Sequence, residues 1–156
     1  MRHLTYGELT INGIEKLFEI VKIKPTDTFI DVGSGYGKII DYVAQKYKIK
    51  CIGIEIDKEK YDISKKIVKN KNVVIINNDF RNIKRFIKNS TIVYSNCMAF
   101  PKEWVKEIYE VSNNIFIHNS YITEKNLKQN KIPLEVSWME KVNYYIINKQ
   151  NTNTIG

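Results

Sequence analysis

Short apolar segments alternate with amphipathic segments along most of this chain, and this order restricts the possible folds more than any other feature. The apolar segments, which read as strands, lie at residues 28–33, 50–56, 72–76, 91–96 and 113–119. Apolar side chains recur at helical spacing in residues 11–21, 36–47, 58–70 and 101–111. Because strands that alternate with helices form right-handed crossovers, the sequence predicts an α/β fold with a mostly parallel sheet and helices on both faces.

The C-terminal part of the chain follows a different order. The segments "LEVSW" at 134–138 and "VNYYII" at 142–147 both read as strands, and only a few residues separate them. Two strands so close in sequence pair as an antiparallel hairpin. We expect a single domain over residues 1–148 that ends in this hairpin, followed by a polar tail over 149–156 whose terminal residues are typical of disorder.

Composition excludes several classes of protein. No apolar run approaches the length of a membrane span, and the first ten residues carry no secretory signal, so we expect a soluble, intracellular protein without a membrane partner. Cys51 and Cys97 each lie in an apolar run, and with His3 and His118 they form no zinc-like spacing, so no metal site is predicted. The net charge of +8, carried mainly by lysine, favours a polyanionic partner.

The segment "DVGSGYGKII" at 31–40 places three glycines at alternate positions between a strand and a helix. A phosphate-binding loop needs a serine or threonine after its lysine, but Ile39 follows Lys38. A dinucleotide fingerprint needs its third glycine at position 38, and here it comes one residue early, at Gly37. The motif therefore predicts a different ligand that lies against the backbone at the carboxyl edge of the sheet.

The ends of the next two strands indicate the ligand. Glu55 ends the second strand, where a carboxylate can accept hydrogen bonds from two adjacent ribose hydroxyls. Asp79 and Phe80 follow the third strand and can accept from an exocyclic amine and stack on a base. Together these side chains predict a site for adenosine without a pyrophosphate.

This arrangement resembles class I methyltransferases, which have a Rossmann-like fold and bind S-adenosyl-L-methionine. More specifically, the chain resembles the catalytic core of the Dot-type (disruptor of telomeric silencing) histone-lysine methyltransferases, which lack the SET fold. The segments that carry the resemblance are "TYGEL" at 5–9, "FIDVGSGYGKIIDYVA", "IGIE", "NDF", "SNCMAF" at 95–100 and "VSWMEKVNYY" at 136–145. They extend in order over nearly the whole chain.

The resemblance implies a role for each matching residue. Cofactor contacts are implied for Tyr6, Glu8, Asp31, Gly33 and Gly35 near the methionine end, Glu55 on the ribose, Asp79 and Phe80 on the adenine, and Asn96 beside the transferring methyl group. Trp138 and Tyr144 are expected to line a narrow channel for the substrate lysine. The catalytic residues implied are Asn96 and Tyr144.

The function implied is S-adenosylmethionine-dependent methylation of a protein lysine, with histone in nucleosomes as the expected substrate and chromatin in the nucleus as the expected location. Cys97 and Met98 follow Asn96 where the Dot-type family usually has an Asn-Phe pair, which leaves the substrate open. RNA or another protein is an alternative substrate. A third possibility is a non-catalytic module that binds the cofactor or a nucleic acid on the same fold.

A basic segment, "DFRNIKRFIK", follows the third strand. If it forms one helix, its basic side chains share one face, which could contact nucleic-acid phosphates. These side chains are Arg81, Lys84, Arg85 and Lys88. A solvated surface stripe explains the same pattern.

Overall fold

The computed structural model describes residues 8–137 and 141–152. The helices are α1 Ile11–Ile20, α2 Lys38–Tyr47, α3 Lys58–Ile67, α4 Lys84–Lys88, α5 Lys102–Val111 and α6 Lys149–Thr152, with a 3-10 turn at Phe80–Asn82. The strands are β1 Thr28–Val32, β2 Lys50–Glu55, β3 Val73–Asn77, β4 Ile92–Ser95, β5 Ile115–His118, β6 Asn130–Leu134 and β7 Val142–Asn148.

The strands form one seven-stranded sheet in the order β3-β2-β1-β4-β5-β7-β6. The first five strands in this order pair in parallel, and β7 pairs antiparallel with both β5 and β6. After β1, the strands β2 and β3 are added on one edge of β1, whereas β4 and β5 are added on its other edge. This reversal opens a crevice at the carboxyl ends of β1 and β4, where α/β proteins bind their ligands.

Helices cover both faces of the sheet, as the sequence predicts. On one face, α1 and α2 bury apolar side chains that include Ile14, Leu17 and Ile40. On the other face, Ile87 of α4 and Ile108 of α5 pack against the sheet. The two packed faces leave the carboxyl ends of the strands as the edge available for a ligand.

The hairpin begins earlier than predicted. Its first strand is Asn130–Leu134, whereas the sequence indicated 134–138. Pro133 argues against a central strand, but β6 is the last strand of the sheet, where a proline is tolerated because no further strand needs its missing N–H. Val136 instead forms an isolated bridge with Leu9.

Two other segments differ from their predicted form. The basic segment after β3 forms a 3-10 turn and the short helix α4, separated by Ile83 at φ −135° and ψ 41°. The polar tail predicted from residue 149 begins with the short helix Lys149–Thr152. Within residues 8–137 and 141–152, no helix has both the length and the apolarity needed to cross a membrane.

Candidate active site

The glycine loop between β1 and α2 is held against the end of β2. The backbone N–H groups of Gly33 and Ser34 both donate to the carbonyl oxygen of Ile54, at 2.8 and 3.0 Å. Gly33 has φ +89° and Gly35 has φ +58°, backbone angles that residues with a Cβ rarely adopt. The loop therefore turns sharply beside the crevice and exposes backbone there.

Glu55, the last residue of β2, is fixed by two backbone N–H groups. Its Oε1 accepts from Gly35 at 2.6 Å, and its Oε2 accepts from Asp57 at 2.9 Å. The side chain is buried yet lines the cavity in the crevice. Because each carboxylate oxygen has two lone pairs, both oxygens can accept a further hydrogen bond from a ligand.

Asp79 is held by the arginine that follows it two residues later. Arg81 donates from Nη2 to Oδ2 at 2.6 Å and from Nε to both carboxylate oxygens at 3.1 and 3.2 Å. These charged hydrogen bonds lower the pKa of Asp79. The guanidinium also lies 4.3 Å from the centroid of the Trp104 ring, so Arg81 connects the Asp79 turn to α5.

Aromatic rings form one wall of the crevice. Phe80 and Phe100 are nearly parallel, with centroids 6.4 Å apart, and Trp104 lies edge-on to both. A Cβ added to Gly33 would lie 3.1 Å from Cζ of Phe100, so the glycine permits the close approach of this wall to the loop. The resulting slot suits a flat ring.

The crevice contains a cavity of about 330 Å³, and most of its lining residues are apolar. Six of the predicted site residues line it: Gly33, Gly35, Glu55, Asp79, Phe80 and Asn96. Asn96 follows β4 directly, so it lies beside the glycine loop at the end of the cavity opposite the Asp79 turn. These six predicted residues therefore lie around one cavity.

Comparison with known families assigns the chain. Residues 2–154 match the family model described as "Histone methylation protein DOT1". The chain belongs to this DOT1 family.

Individual relatives of the DOT1-family chain fall into two groups. A histone-lysine N-methyltransferase specific for H3 lysine 79 from Dictyostelium discoideum is 36% identical over 63 residues, which are 40% of this chain and 3% of that protein. A ribosomal RNA small subunit methyltransferase A from Ureaplasma parvum is 32% identical over 94 residues, 60% of this chain and 33% of that protein. The chain therefore spans a third or less of both relatives.

A solved structure supports the fold of the DOT1-family chain. An RNA methyltransferase from Salinibacter ruber, in complex with S-adenosyl-L-homocysteine, has a TM-score of 0.71 and 18% identity to it. The match covers 86% of this chain and 88% of that one. At this identity the likeness shows the class I methyltransferase fold, and it confirms the fold predicted from the sequence.

Asp31 of the DOT1-family chain lies behind the glycine loop rather than in the cavity wall. Its side chain is buried, and its Oδ1 accepts no hydrogen bond from the residues that the structure describes. Burial raises the pKa of Asp31 well above its ordinary value, and the carboxylates of Glu55 and Glu8 add to the rise. Three acidic side chains therefore make this end of the crevice favourable for a cation.

Glu8 lies outside the main cavity, in the wall of a neighbouring one of about 430 Å³. Its backbone exchanges hydrogen bonds with Ser137, and its Oε2 is 3.9 Å from Nζ of Lys38. Lys38 begins α2 directly after the glycine loop, so this ion pair places Glu8 beside that loop. Tyr6 and Trp138, which were also predicted as site residues, lie outside the described residues.

Tyr144, which was expected to line a narrow channel for the substrate lysine, lies in the protein core. The side chain is fully buried in the core, and its ring stacks on Tyr94 with centroids 6.1 Å apart. Burial raises the pKa of Tyr144 to about 12, and hydrogen bonding to Tyr94 and Asn119 partly offsets that rise. The channel role and the catalytic role of Tyr144 both stay predictions.

The predicted basic face also needs correction, because the segment is not one helix. Arg81 is bound to Asp79 and Trp104, and Lys84 lies 3.6 Å from a carboxylate oxygen of Glu107. Arg81 and Lys84 therefore have intramolecular ion-pair partners, and the guanidinium of Arg85 lies 4.6 Å from the ring centroid of its neighbour Phe86. A nucleic-acid contact at this surface stays a prediction.

Trp104 and Asn119 are among the residues of the site that the sequence did not predict. Trp104 lines the cavity from α5, and Asn119 follows β5 directly, with its side chain bonded to Asn96. Asn119 has the same signal as Asn96, a polar residue immediately after an apolar strand. Trp104 has no such signal, because its helical spacing is equally typical of a core residue.

Proposed function

We propose that this chain is an S-adenosylmethionine-dependent protein-lysine N-methyltransferase that acts on histone. Membership of the DOT1 family supports the reaction and the substrate. The observation that carries the proposal is the position of Glu55. Its carboxylate is fixed by backbone N–H groups in the same cavity that Phe80 and Asn96 line.

The residues of the cavity fit the cofactor in order. The free lone pairs of Glu55 can accept the two ribose hydroxyls, and the slot beside Phe80 and Phe100 can hold the adenine. The exocyclic amine would share the Asp79 carboxylate with Arg81, which donates to both of its oxygens. Oδ1 of buried Asp31, which has no hydrogen-bond partner within residues 8–137 and 141–152, suits the cationic methionine end, because a positive charge offsets its unfavourable burial.

When bound, the cofactor supplies an electrophilic methyl group on a sulfonium. The chain's own contribution is alignment and exclusion of water, because an in-line displacement depends on geometry. A lysine amine has a pKa of about 10.4 and must lose a proton before it can attack. Apolar residues that line the same cavity as Asn96, among them Val32 and Ala99, disfavour the charged amine and so lower its pKa.

A nucleosome is the form of histone that best suits the charge of this chain. At +8 the chain should repel a free basic histone, whereas DNA can bridge the two. Arg85 and Lys88 of α4 are both exposed, and they are the members of the predicted basic face that could contact phosphate. Nuclear location follows only if this substrate is correct.

RNA is the second candidate substrate. The matches to ribosomal RNA methyltransferases extend over more of this chain than the match to the Dictyostelium histone methyltransferase, 60% against 40%. The segment that follows β4, "NCMAF", lacks the Asn-Pro-Pro-Tyr pattern associated with methylation of base amines. We therefore retain protein lysine as the first candidate.

Tritiated S-adenosylmethionine offered with nucleosomes, free histones or RNA would test the proposal. We expect label on a histone lysine, more from nucleosomes than from free histone, and at least a tenfold loss in Asn96→Ala. Asn113→Ala is the matched control, because Asn113 is an exposed asparagine at the other end of β5. Label on RNA alone would overturn the protein substrate, and no label with any substrate would overturn the transferase.

A further inference from the structure

The ends of β4 and β5 bring two asparagines into contact. These strands are parallel neighbours, with Ser95 opposite His118, so Asn96 and Asn119 follow them side by side. Nδ2 of Asn119 donates to Oδ1 of Asn96 at 2.7 Å. Asn96 is half-buried and lines the cavity, whereas Asn119 is buried behind it.

The orientation of both side-chain amides is determined by one backbone group. The N–H of Cys97 lies 2.8 Å from Oδ1 of Asn119, and a backbone N–H can only donate. The oxygen of the Asn119 amide must therefore face Cys97, which leaves its NH2 group to face Asn96. Asn96 must present its own oxygen to that NH2 group, because two NH2 groups cannot bond to each other.

The core behind Asn119 gives the amide little freedom to turn. Asn119 and Cys97, which the hydrogen bond to Oδ1 joins, are both buried in the protein. Rotating the Asn119 amide would place its NH2 group against the N–H of Cys97 and leave a buried donor unsatisfied. The orientation is therefore set from the core outward to the cavity.

We propose that Asn119 is a positioning residue that fixes the amide of Asn96 in one orientation at the methyl-transfer end of the cavity. This inference rests on the proposed function, in which Asn96 lies beside the transferring methyl group. Glu55 and the Asp79 turn, at the other end of the cavity, are independent of this contact.

The substitution Asn119→Asp tests the positioning step. It keeps the size of the side chain and the acceptor for Cys97, but it removes the donor to Asn96. We expect kcat to fall about tenfold, while the Kd for S-adenosyl-L-homocysteine stays within about threefold, because the fixed Glu55 carboxylate is unaffected. Asn113→Asp is the matched control, since it removes an NH2 donor to Lys88 at the opposite end of β5.

A measurement without substrate separates this proposal from the proposed function. In nitrogen-15 spectra of the native chain, one Nδ2 proton of Asn119 should be shifted downfield by its bond to Asn96. Asn96→Ala should move that signal upfield and speed its exchange with solvent. An unmoved signal, or a kcat for Asn119→Asp equal to that of Asn113→Asp, would overturn the positioning role. Absence of methyl transfer by the native chain would overturn only the proposed function.

Discussion

The guanidinium of Arg81 lies between Asp79 and Trp104, with Nη2 2.6 Å from the Asp79 carboxylate and the guanidinium carbon 4.3 Å from the centre of the Trp104 ring. The turn after β3 and helix α5 are thus joined through one side chain at the proposed adenine end of the cavity. A planar cation can make both contacts at once, which an ammonium group cannot.

We therefore expect Arg81→Lys to weaken binding of S-adenosyl-L-homocysteine about tenfold, although the charge is kept. Calorimetric titration would measure this change. Arg85→Lys is the matched control, because Arg85 is exposed in α4 and lies 4.6 Å from the ring of its neighbour Phe86. Equal affinities for the two variants would contradict a positioning role for Arg81.

Glu55→Gln should weaken both the fold and the cofactor site. A glutamine amide has one acceptor oxygen, so its NH2 group would face the N–H of either Gly35 or Asp57. We expect a loss of about 1–3 kcal/mol in the free energy of unfolding, measured by urea denaturation. Binding of S-adenosyl-L-homocysteine should fall by about tenfold or more.

Glu19→Gln, on the exposed side of α1, controls for the change in net charge. It should leave both quantities unchanged. If Glu55→Gln bound S-adenosyl-L-homocysteine as tightly as Glu19→Gln does, the assignment of Glu55 to the ribose would have to be abandoned.

Alanine at two glycines of the loop should separate binding from stability. Gly35→Ala would direct its Cβ into open space, so it costs about 1–2 kcal/mol of backbone strain and mainly obstructs the cavity. Gly37→Ala has the same strain, and its Cβ would lie 2.8 Å from Cγ2 of Val68. We expect the lower melting temperature for Gly37→Ala. A lower melting temperature for Gly35→Ala would reverse this assignment.

His118 makes stability depend on pH in the acid range. Its ring is fully buried, Nδ1 accepts from Ser120, and Nε2 lies 3.1 Å from Oε1 of Gln129. Burial lowers the pKa of His118 from 6.5 to about 4. Between these values the unfolded chain binds a proton that the folded chain does not, so stability falls as the pH decreases from 6.5 to 4.

The loss in the free energy of unfolding that is due to His118 should reach about 3 kcal/mol near pH 4. Urea unfolding would measure the free energy of unfolding of the native chain and of His118→Gln at pH 7 and pH 4.5. The contribution of His118 is the difference between the losses of the two proteins on acidification. The variant should lose less stability than the native chain on acidification. Identical losses would mean that His118 does not carry the effect.

Much of the fold could be predicted because its signals are local. Apolar strands followed by helical spacing specify the parallel core from β1 to β5. The basic segment after β3 and the polar tail differ from their predicted form, and the first strand of the hairpin was misplaced. Its Pro133 conflicts with a strand until the edge position of β6 is known. In the same way, Gly33, Glu55 and Asp79 could be predicted to lie at one cavity because strand ends in a parallel sheet meet at one edge, whereas the role of Asn96 was implied by the family resemblance.

The sequence by itself determined the order of the elements and the side chains at the strand ends, because the spacing of apolar residues and of glycines is a local pattern of neighbouring residues. Only the tertiary structure decided which side chains are bound to each other. The partners of Arg81 include Trp104 on α5, and Asn119 meets Asn96 across two strands. Burial of Tyr144 was likewise decided by packing against Tyr94. Such contacts join residues distant in sequence, so no local pattern encodes them.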